Sequence, residues 1–303
     1  MPSYAHTIPK ELTSHTLAIC GDRGRQWLSD LPTRIAHLEA KWSICVLEPF
    51  PAIEFNFVAP AIGEDGENVV LKIAPPYPNH EARGEAKYLR TLDGDGVIKL
   101  LAQDRGMDAI LLERAIPGKN LAEIFAGDEP SSLAPAIETL RRISRPVPDD
   151  RTDVMSLDDW FDGLRRFESK GFPAQYAGKT LDLLDNKLRH QKNYYLHGDF
   201  HPANIVSAQR YPFLAIDPKG IVGPVGYDIA VFLNNYHWWQ ETQLDLSERL
   251  AEAVRGFAGA FDLSEKTIRQ WAFAQMVLGA WWTFDEMPEI YNNEVAKADV
   301  WNI

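Results

Sequence analysis

The sequence predicts an α+β protein of two lobes: a small antiparallel sheet first, then a larger, mainly helical part. Three observations predict it. Between residues 44 and 112 the apolar runs are short and separated by turn residues, as strands are. After residue 120 the apolar spacing changes to the three- and four-residue steps of amphipathic helices. Between the two regimes lies Pro117-Gly118, which stops a strand and lets the chain cross over. The expected division is therefore residues 1–115 and 116–303.

Residues 1–30 carry little pattern. From Pro32 to Trp42, the apolar Ile35, Leu38 and Trp42 mark a helix that should pack on the lobe that follows. Strands are expected in an apolar run ending at Pro49, at 55–58, and at 69–73, with a turn at Gly63 to Gly66 between the last two. A helix should then run from about Asn79 to Leu92. Its Ala82, Glu85, Ala86 and Leu89 fall on one face, so Glu85 shares an inward stripe. Two further strands are expected at 97–101 and 109–112.

The second part should open with helices at 120–125 and 134–144. Ser156-Leu157-Asp158-Asp159 reads as a capping box opening a helix that runs to about Lys170 and is stopped by Gly171. Capping is the preferred role of Asp158 and Asp159 over binding a cation. Leu181, Leu184 and Leu188 mark the next helix. The last third reads as a bundle, with Leu250, Val254, Phe257 and Phe261 on one stripe and a long helix from Ser264 to Phe284.

The chemistry concentrates in one stretch: His197-Gly198-Asp199-Phe200-His201-Pro202-Ala203-Asn204, twelve further residues, then Asp217-Pro218-Lys219-Gly220. Short apolar runs precede both pieces, so each acid is delivered by the end of a strand. Asp199 and Asn204 have the Asp-x4-Asn spacing of a protein-kinase catalytic loop. Transfer of a phosphoryl group needs a carboxylate to orient and deprotonate the acceptor hydroxyl, and hard oxygen ligands for Mg²⁺. Asp199 suits the first task; Asn204 and Asp217 suit the second.

The motifs HGDFHPAN and AIDPKGIVGPVGYDIA resemble those of the aminoglycoside phosphotransferases, and within them the streptomycin 6-kinase (aminoglycoside/hydroxyurea resistance kinase) branch. Phe200 and Ala203 stand where that branch carries Leu and Gly, and Gly223-Pro224 replaces its Gly-Asp-Pro. The resemblance implies a bilobal protein-kinase-like fold, with ATP and Mg²⁺ as cofactors. It implies a hydroxylated, cationic small molecule as acceptor, and an acceptor pocket built from C-terminal helices. Asp285, Glu286 and Trp281, an acid pair beside an aromatic cluster, would suit an amino- or guanidino-sugar. It also implies that Asp228 braces the catalytic loop.

On that template Lys72 takes the place of the strand lysine that grips the α/β-phosphates. Taken alone, it reads as readily as an outward-facing lysine on an edge strand; Glu85 on the following helix favours the paired reading, with Glu81 as the fallback partner. No GxGxxG occurs in the first strands, and Asn56 to Pro60 is only a weak candidate for phosphate contact. The crossing at Glu113 to Gly118 becomes the hinge, with the Glu113 carbonyl and Ala115 amide as adenine contacts. His197 is read as an orienting group rather than a base, and Lys219 as meeting either phosphate or an acid.

Composition narrows the remaining classes. A net charge of −12 argues against nucleic acid as a partner. Residues 1–115 hold 16 acids and 12 bases, and the remainder 27 and 19, so the second lobe is the more acidic; that charge would attract a cationic substrate, and it serves equally well as ordinary solubilising charge. Cys20 and Cys45 are the sole cysteines, which implies no disulfide framework. The N-terminus lacks the apolar core of a signal peptide, and the segment Trp271 to Phe284 is too short to span a bilayer. A cytoplasmic enzyme with no membrane partner is expected. Two other readings share the motif: a metabolic sugar or amino-alcohol kinase, and a nucleotide-binding protein without transferase activity.

Overall fold

The computed structural model describes residues 7–51, 53, 55–77, 81–150, 152, 154–234, 245–288, 291 and 293–303, and it divides into two compact units, Met1–Ile116 and Pro117–Ile303.

The first unit is a five-stranded antiparallel sheet between helices. It is built from α1 (Lys10–Trp42), β1 (Ile44–Val46), β2 (Phe57–Gly63), β3 (Asn68–Ile73), α2 (Glu81–Leu92), β4 (Leu100–Asp104) and β5 (Ala109–Glu113). The strand order is β1-β2-β3-β5-β4. Leu71 and Ile73 point to one face, where they pack with Trp27, Leu31, Ile35 and Leu38 of α1. Side chains alternate along a strand, so Lys72 lies on the opposite face, toward α2. β3 pairs with β2 through Val58↔Lys72 and with β5 through Lys72↔Ile110, so Lys72 sits on a central strand, not an edge.

Two differences from the sequence expectation have physical causes. Helical backbone begins at Lys10, far ahead of Pro32, in two runs that meet at Gly21, whose φ 56°, ψ −126° turns the chain sharply without a side-chain clash. A Cβ at Gly24 would stand 2.4 Å from the Thr16 carbonyl oxygen, so the two halves approach closely. The fourth strand is 100–104 rather than 97–101. Lys99 is held instead by Glu113, whose backbone N–H donates to the Lys99 carbonyl at 2.9 Å and whose Oε2 accepts the Lys99 N–H at 2.9 Å. The expected start of α2 at Asn79 falls outside the described residues.

The second unit is mainly helical. Its elements are α3 (Leu121–Ile124), α4 (Leu133–Ile143), β6 (Met155–Ser156), α5 (Leu157–Asp162), α6 (Phe167–Lys170), α7 (Ala174–Asn186), β7 (Asn193–Leu196), β8 (Ile205–Ser207), β9 (Phe213–Ala215), β10 (Ile221–Pro224), α8 (Gly226–Asn234), α9 (Leu246–Phe261) and α10 (Glu265–Glu286). The capping box forms as expected: the Ser156 hydroxyl accepts the Asp159 N–H, and the Asp159 carboxylate accepts the Ser156 N–H. The helix it opens is interrupted by a 3₁₀ turn at Gly163–Arg166 before Gly171 ends it in the left-handed conformation. Leu184 and Leu188 are buried, while Leu181 is only half-buried; Tyr176, Ala177, Thr180 and Leu183 complete the inner face of α7.

α10 is the axis of this unit, packing on α7, α8 and α9. Trp271 is core: its Nε1–H donates to Gln191 Oε1 at 3.1 Å, and α8 lies so close that a Cβ on Gly226 would stand 2.2 Å from its ring. Among the described residues no helix is long and apolar enough to cross a membrane.

Candidate active site

In the first unit, the Lys72 ammonium reaches the Glu85 carboxylate at 2.7 Å. Lys72 is 7% exposed and Glu85 4% exposed. A buried charge is costly unless paired, and here α2 supplies the partner from the stripe that also buries Ala86 and Leu89. The side chains of Glu81 and Ala82 lie outside what the structure describes.

In the second unit, β7 ends at Leu196 and releases the loop that carries Asp199 and Asn204. The Asn204 amide Nδ2 donates to the Asp199 carbonyl at 3.0 Å and to its carboxylate Oδ2 at 3.3 Å. The side-chain amide nitrogen is thus turned to Asp199, which makes the side-chain Oδ1 of Asn204 the atom able to ligate a cation. Asp217 follows β9, the antiparallel partner of β8, and the Ile216 N–H donates to the Asn204 carbonyl at 2.9 Å. Asn204 and Asp217 therefore sit at the same end of one hairpin. Asp217 itself has φ 57°, a left-handed conformation costly for a non-glycine residue and tolerable for Asp.

Lys219 joins the two carboxylates. Its Nζ lies 3.9 Å from Asp199 Oδ2 and 3.8 Å from Asp217 Oδ2, so those oxygens stand within about twice that distance of each other. His201 Nε2 is 3.7 Å from Asp199 Oδ1. An amide oxygen and a carboxylate are hard donors of the kind that would suit Mg²⁺. Among the described residues no three His, Cys, Asp or Glu side chains gather into a group that could hold a metal ion.

The loop is held from beneath. Asp228, 1% exposed, accepts the backbone N–H of His197 at 2.9 Å and of Gly198 at 2.8 Å. Burial pushes its carboxyl up to about 7, against the pull of those two donors. It lies inside the first turn of α8, so it braces the loop rather than capping the helix. His197 is fully buried, and desolvation lowers it to about 3. Its Nε2–H donates to the Ile216 carbonyl at 2.9 Å, and its Nδ1 accepts the Asp199 N–H at 3.2 Å. A neutral ring so committed orients Asp199 and cannot serve as a base. The Lys219 N–H donates to the His197 carbonyl at 2.7 Å, tying the two acidic loops together.

The residues expected to line the acceptor pocket fall differently. Trp281 is 1% exposed and packs edge-on against Phe172 at 5.5 Å, so it is core and not pocket wall. Asp285 is engaged by Lys170 at 3.2 Å and Arg166 at 3.7 Å. The Glu286 side chain lies outside what is described. Trp160 and Trp282 are both half-buried, and Trp160 meets Trp282 at 5.4 Å and Tyr227 at 5.9 Å, both edge-on. Tyr227 precedes Asp228 and feels the Asp199 charge, which adds to burial in raising its phenol. An aromatic surface thus begins beside the catalytic loop. Its sequence signal is Trp160 on the capped helix α5.

Solved structures share this architecture. An amicoumacin kinase in complex with AMP-PNP and Ca²⁺ superposes with a TM-score of 0.62 at 17% identity, covering 89% of this chain and 93% of that one. The choline kinase of Streptococcus pneumoniae gives 0.61 at 13% identity, over 89% of this chain and 99% of that one. Fold and site together define a phosphotransferase with the protein-kinase-like fold. The chain belongs to the aminoglycoside/hydroxyurea antibiotic resistance kinase family, whose model matches residues 55–286. It is 28% identical to the hydroxyurea phosphotransferase of Kitasatospora aureofaciens, over 97% of this chain and 85% of that protein. It is 26% identical to the streptomycin 6-kinase of Streptomyces griseus, over 96% of both.

Proposed function

We propose that this protein transfers the γ-phosphoryl group of ATP to a hydroxyl of a cationic, aminoglycoside-like small molecule, in the manner of a streptomycin 6-kinase. The observation that carries the reading is the meeting of the Asp199 and Asp217 carboxylates around one ammonium, Lys219. Asp199 orients the acceptor hydroxyl and takes its proton as the new oxygen–phosphorus bond forms. Asn204 and Asp217 would hold Mg²⁺, which would supply charge neutralisation for the phosphoryl group in transfer. Lys72, fixed by Glu85, grips the α/β-phosphates. The Glu113 carbonyl and Ala115 amide receive the adenine. A nucleotide donor implies a cytoplasmic setting.

For the acceptor, the net charge of −12 and the half-buried aromatic pair Trp160–Trp282 favour a cation. We assign acceptor contact to Trp160 and Trp282 in place of Trp281. The fold is shared with kinases of other small molecules and does not choose among them.

The test is a phosphorylation screen with ATP and Mg²⁺ over aminoglycosides, amino sugars and amino alcohols. A phosphorylated aminoglycoside is expected. Transfer confined to a neutral sugar or an amino alcohol would make it a metabolic kinase. Tight Mg-nucleotide binding with no acceptor-stimulated turnover would make it a nucleotide-binding protein.

A further inference from the structure

We infer that Lys219 is a catalytic residue that contacts the transferred phosphoryl group. The inference rests on the kinase reading above and assigns a role to a side chain that reading leaves without one. The Lys219 ammonium stands 3.9 Å from Asp199 and 3.8 Å from Asp217, so it is shared between the proton-accepting carboxylate and the metal-side carboxylate. An ammonium presents three N–H donors around one nitrogen, so at this position it can meet an anion that enters beside both carboxylates.

Its backbone is held while its side chain stays partly exposed. The Lys219 N–H donates to the His197 carbonyl at 2.7 Å, and the side chain is 24% exposed. Gly198 explains the close fit. At φ 83° it adopts a conformation other residues rarely accept, and a Cβ there would stand 3.1 Å from the Lys219 Cβ. The chain thus brings the base of Lys219 against the backbone that carries Asp199.

The chemistry needs a cation at that place. Two carboxylates and an incoming phosphoryl group repel one another strongly in a partly desolvated site. In transfer, the acceptor oxygen bonds to the γ-phosphorus as its proton passes to Asp199. The bond from the γ-phosphorus to the β,γ-bridging oxygen breaks, and its electron pair stays on ADP. Lys219 keeps its protons throughout and gives N–H hydrogen bonds to the non-bridging γ-oxygens, where transition-state charge is spread. A lysine from the metal-side loop thereby serves the group that leaves, while Lys72 serves the phosphates that stay.

The test compares the full-length protein with Lys219→Met and Lys219→Arg, measuring Mg-AMP-PNP and Mg-ADP affinities separately, then turnover. Lys219→Met should weaken AMP-PNP binding about tenfold and leave ADP binding unchanged, because ADP has no γ-phosphate. Its kcat should fall by roughly 10²–10³, the usual cost of one transition-state donor. Lys219→Arg keeps the charge and should keep most of the preference for AMP-PNP. Parallel weakening of both nucleotides in Lys219→Met would mean that Lys219 only supports the loops. Unchanged affinities with unchanged kcat would also overturn the proposal, as would an arginine variant indistinguishable from methionine. If the wild type discriminates the nucleotides yet phosphorylates no acceptor, the kinase reading fails, and the two affinities still decide Lys219.

Discussion

The Asp228 carboxylate receives the backbone N–H of Gly198 at 2.8 Å, thirty residues away in sequence and at the turn that aims Asp199. A buried acid and the buried imidazole of His197 thus share the support of one loop. Their protonation pulls stability in opposite directions with pH. Asp228 has its carboxyl raised to about 7, so its stabilising contribution is complete below the unfolded value near 3.8 and is lost as pH rises through 7. His197 is lowered to about 3, so its contribution is complete above about 6.5 and is lost as pH falls toward 3. The two slopes oppose one another between about pH 4 and 6.5. Each single variant should expose the other slope, on the order of a few kcal/mol. Asp228→Asn should grow more stable with rising pH, and His197→Asn less stable, in denaturant titrations across pH 4 to 8. Matching pH profiles in the two variants would refute this assignment.

The Lys72–Glu85 pair makes a second, separable prediction. Removing one partner leaves a buried charge, so Glu85→Met should cost about 3–5 kcal/mol of unfolding free energy. The double variant Lys72→Met/Glu85→Met removes both charges and should recover most of that loss. Mg-nucleotide affinity should remain poor in both. Full nucleotide affinity in the refolded double variant would remove the phosphate role of Lys72.

Asp199 and Asp217 should divide cleanly in kinetics. Asp199→Ala is expected to lower kcat by about 10²–10⁴ while leaving Mg-nucleotide affinity nearly unchanged. Asp217→Ala should weaken Mg-nucleotide binding by at least about tenfold and raise the Mg²⁺ concentration needed for turnover. An Asp217→Ala protein with ordinary Mg²⁺ dependence would exclude it as a ligand.

Trp160 should report on the acceptor alone. Trp160→Ala is expected to raise the acceptor KM by about tenfold, the worth of one cation–aromatic contact, with nucleotide affinity unaffected. The same change at Trp281 should act on stability, since its ring is buried against Phe172.

Gly198 offers a steric check on the loop. Gly198→Ala forces a side chain into a positive-φ position and against Lys219 and Ile221, so stability should fall by about 1–2 kcal/mol. Turnover should fall further than stability explains, because the displaced groups include Lys219. Loss of stability alone, with kcat intact, would separate the loop's shape from its chemistry.

Much of this was legible because polar residues stand at positions where apolar periodicity demands burial. Glu85 falls on the inward stripe of α2, and Lys72 interrupts an apolar strand; a pair was the cheapest solution, and the structure contains it. The break between the two units, after Ile116, falls at the Pro117-Gly118 pair. The first half of α1 was hidden because Gly21, Gly24 and Pro32 break the helical pattern, while the contacts that rescue it come from the distant sheet. The tryptophans of α10 failed for a different reason. Trp281 and Trp282 are neighbours on a helix apolar nearly all round, so periodicity cannot tell which one faces inward. Asp285 could not be read because Arg166 and Lys170, which engage it, reach it only through the tertiary fold.

The hairpin of β8 and β9 carries a consequence for how such chains vary. Its rungs Ile205↔Ala215, Val206↔Leu214 and Ser207↔Phe213 fix the mouth where Asn204 and Asp217 emerge, and residues 208–212 close the far end. Insertions or deletions at that tip leave the mouth untouched, so length polymorphism there should be neutral to the cation site proposed for Asn204 and Asp217. A slip of one rung would instead turn alternate side chains to the other face and part the two oxygen donors.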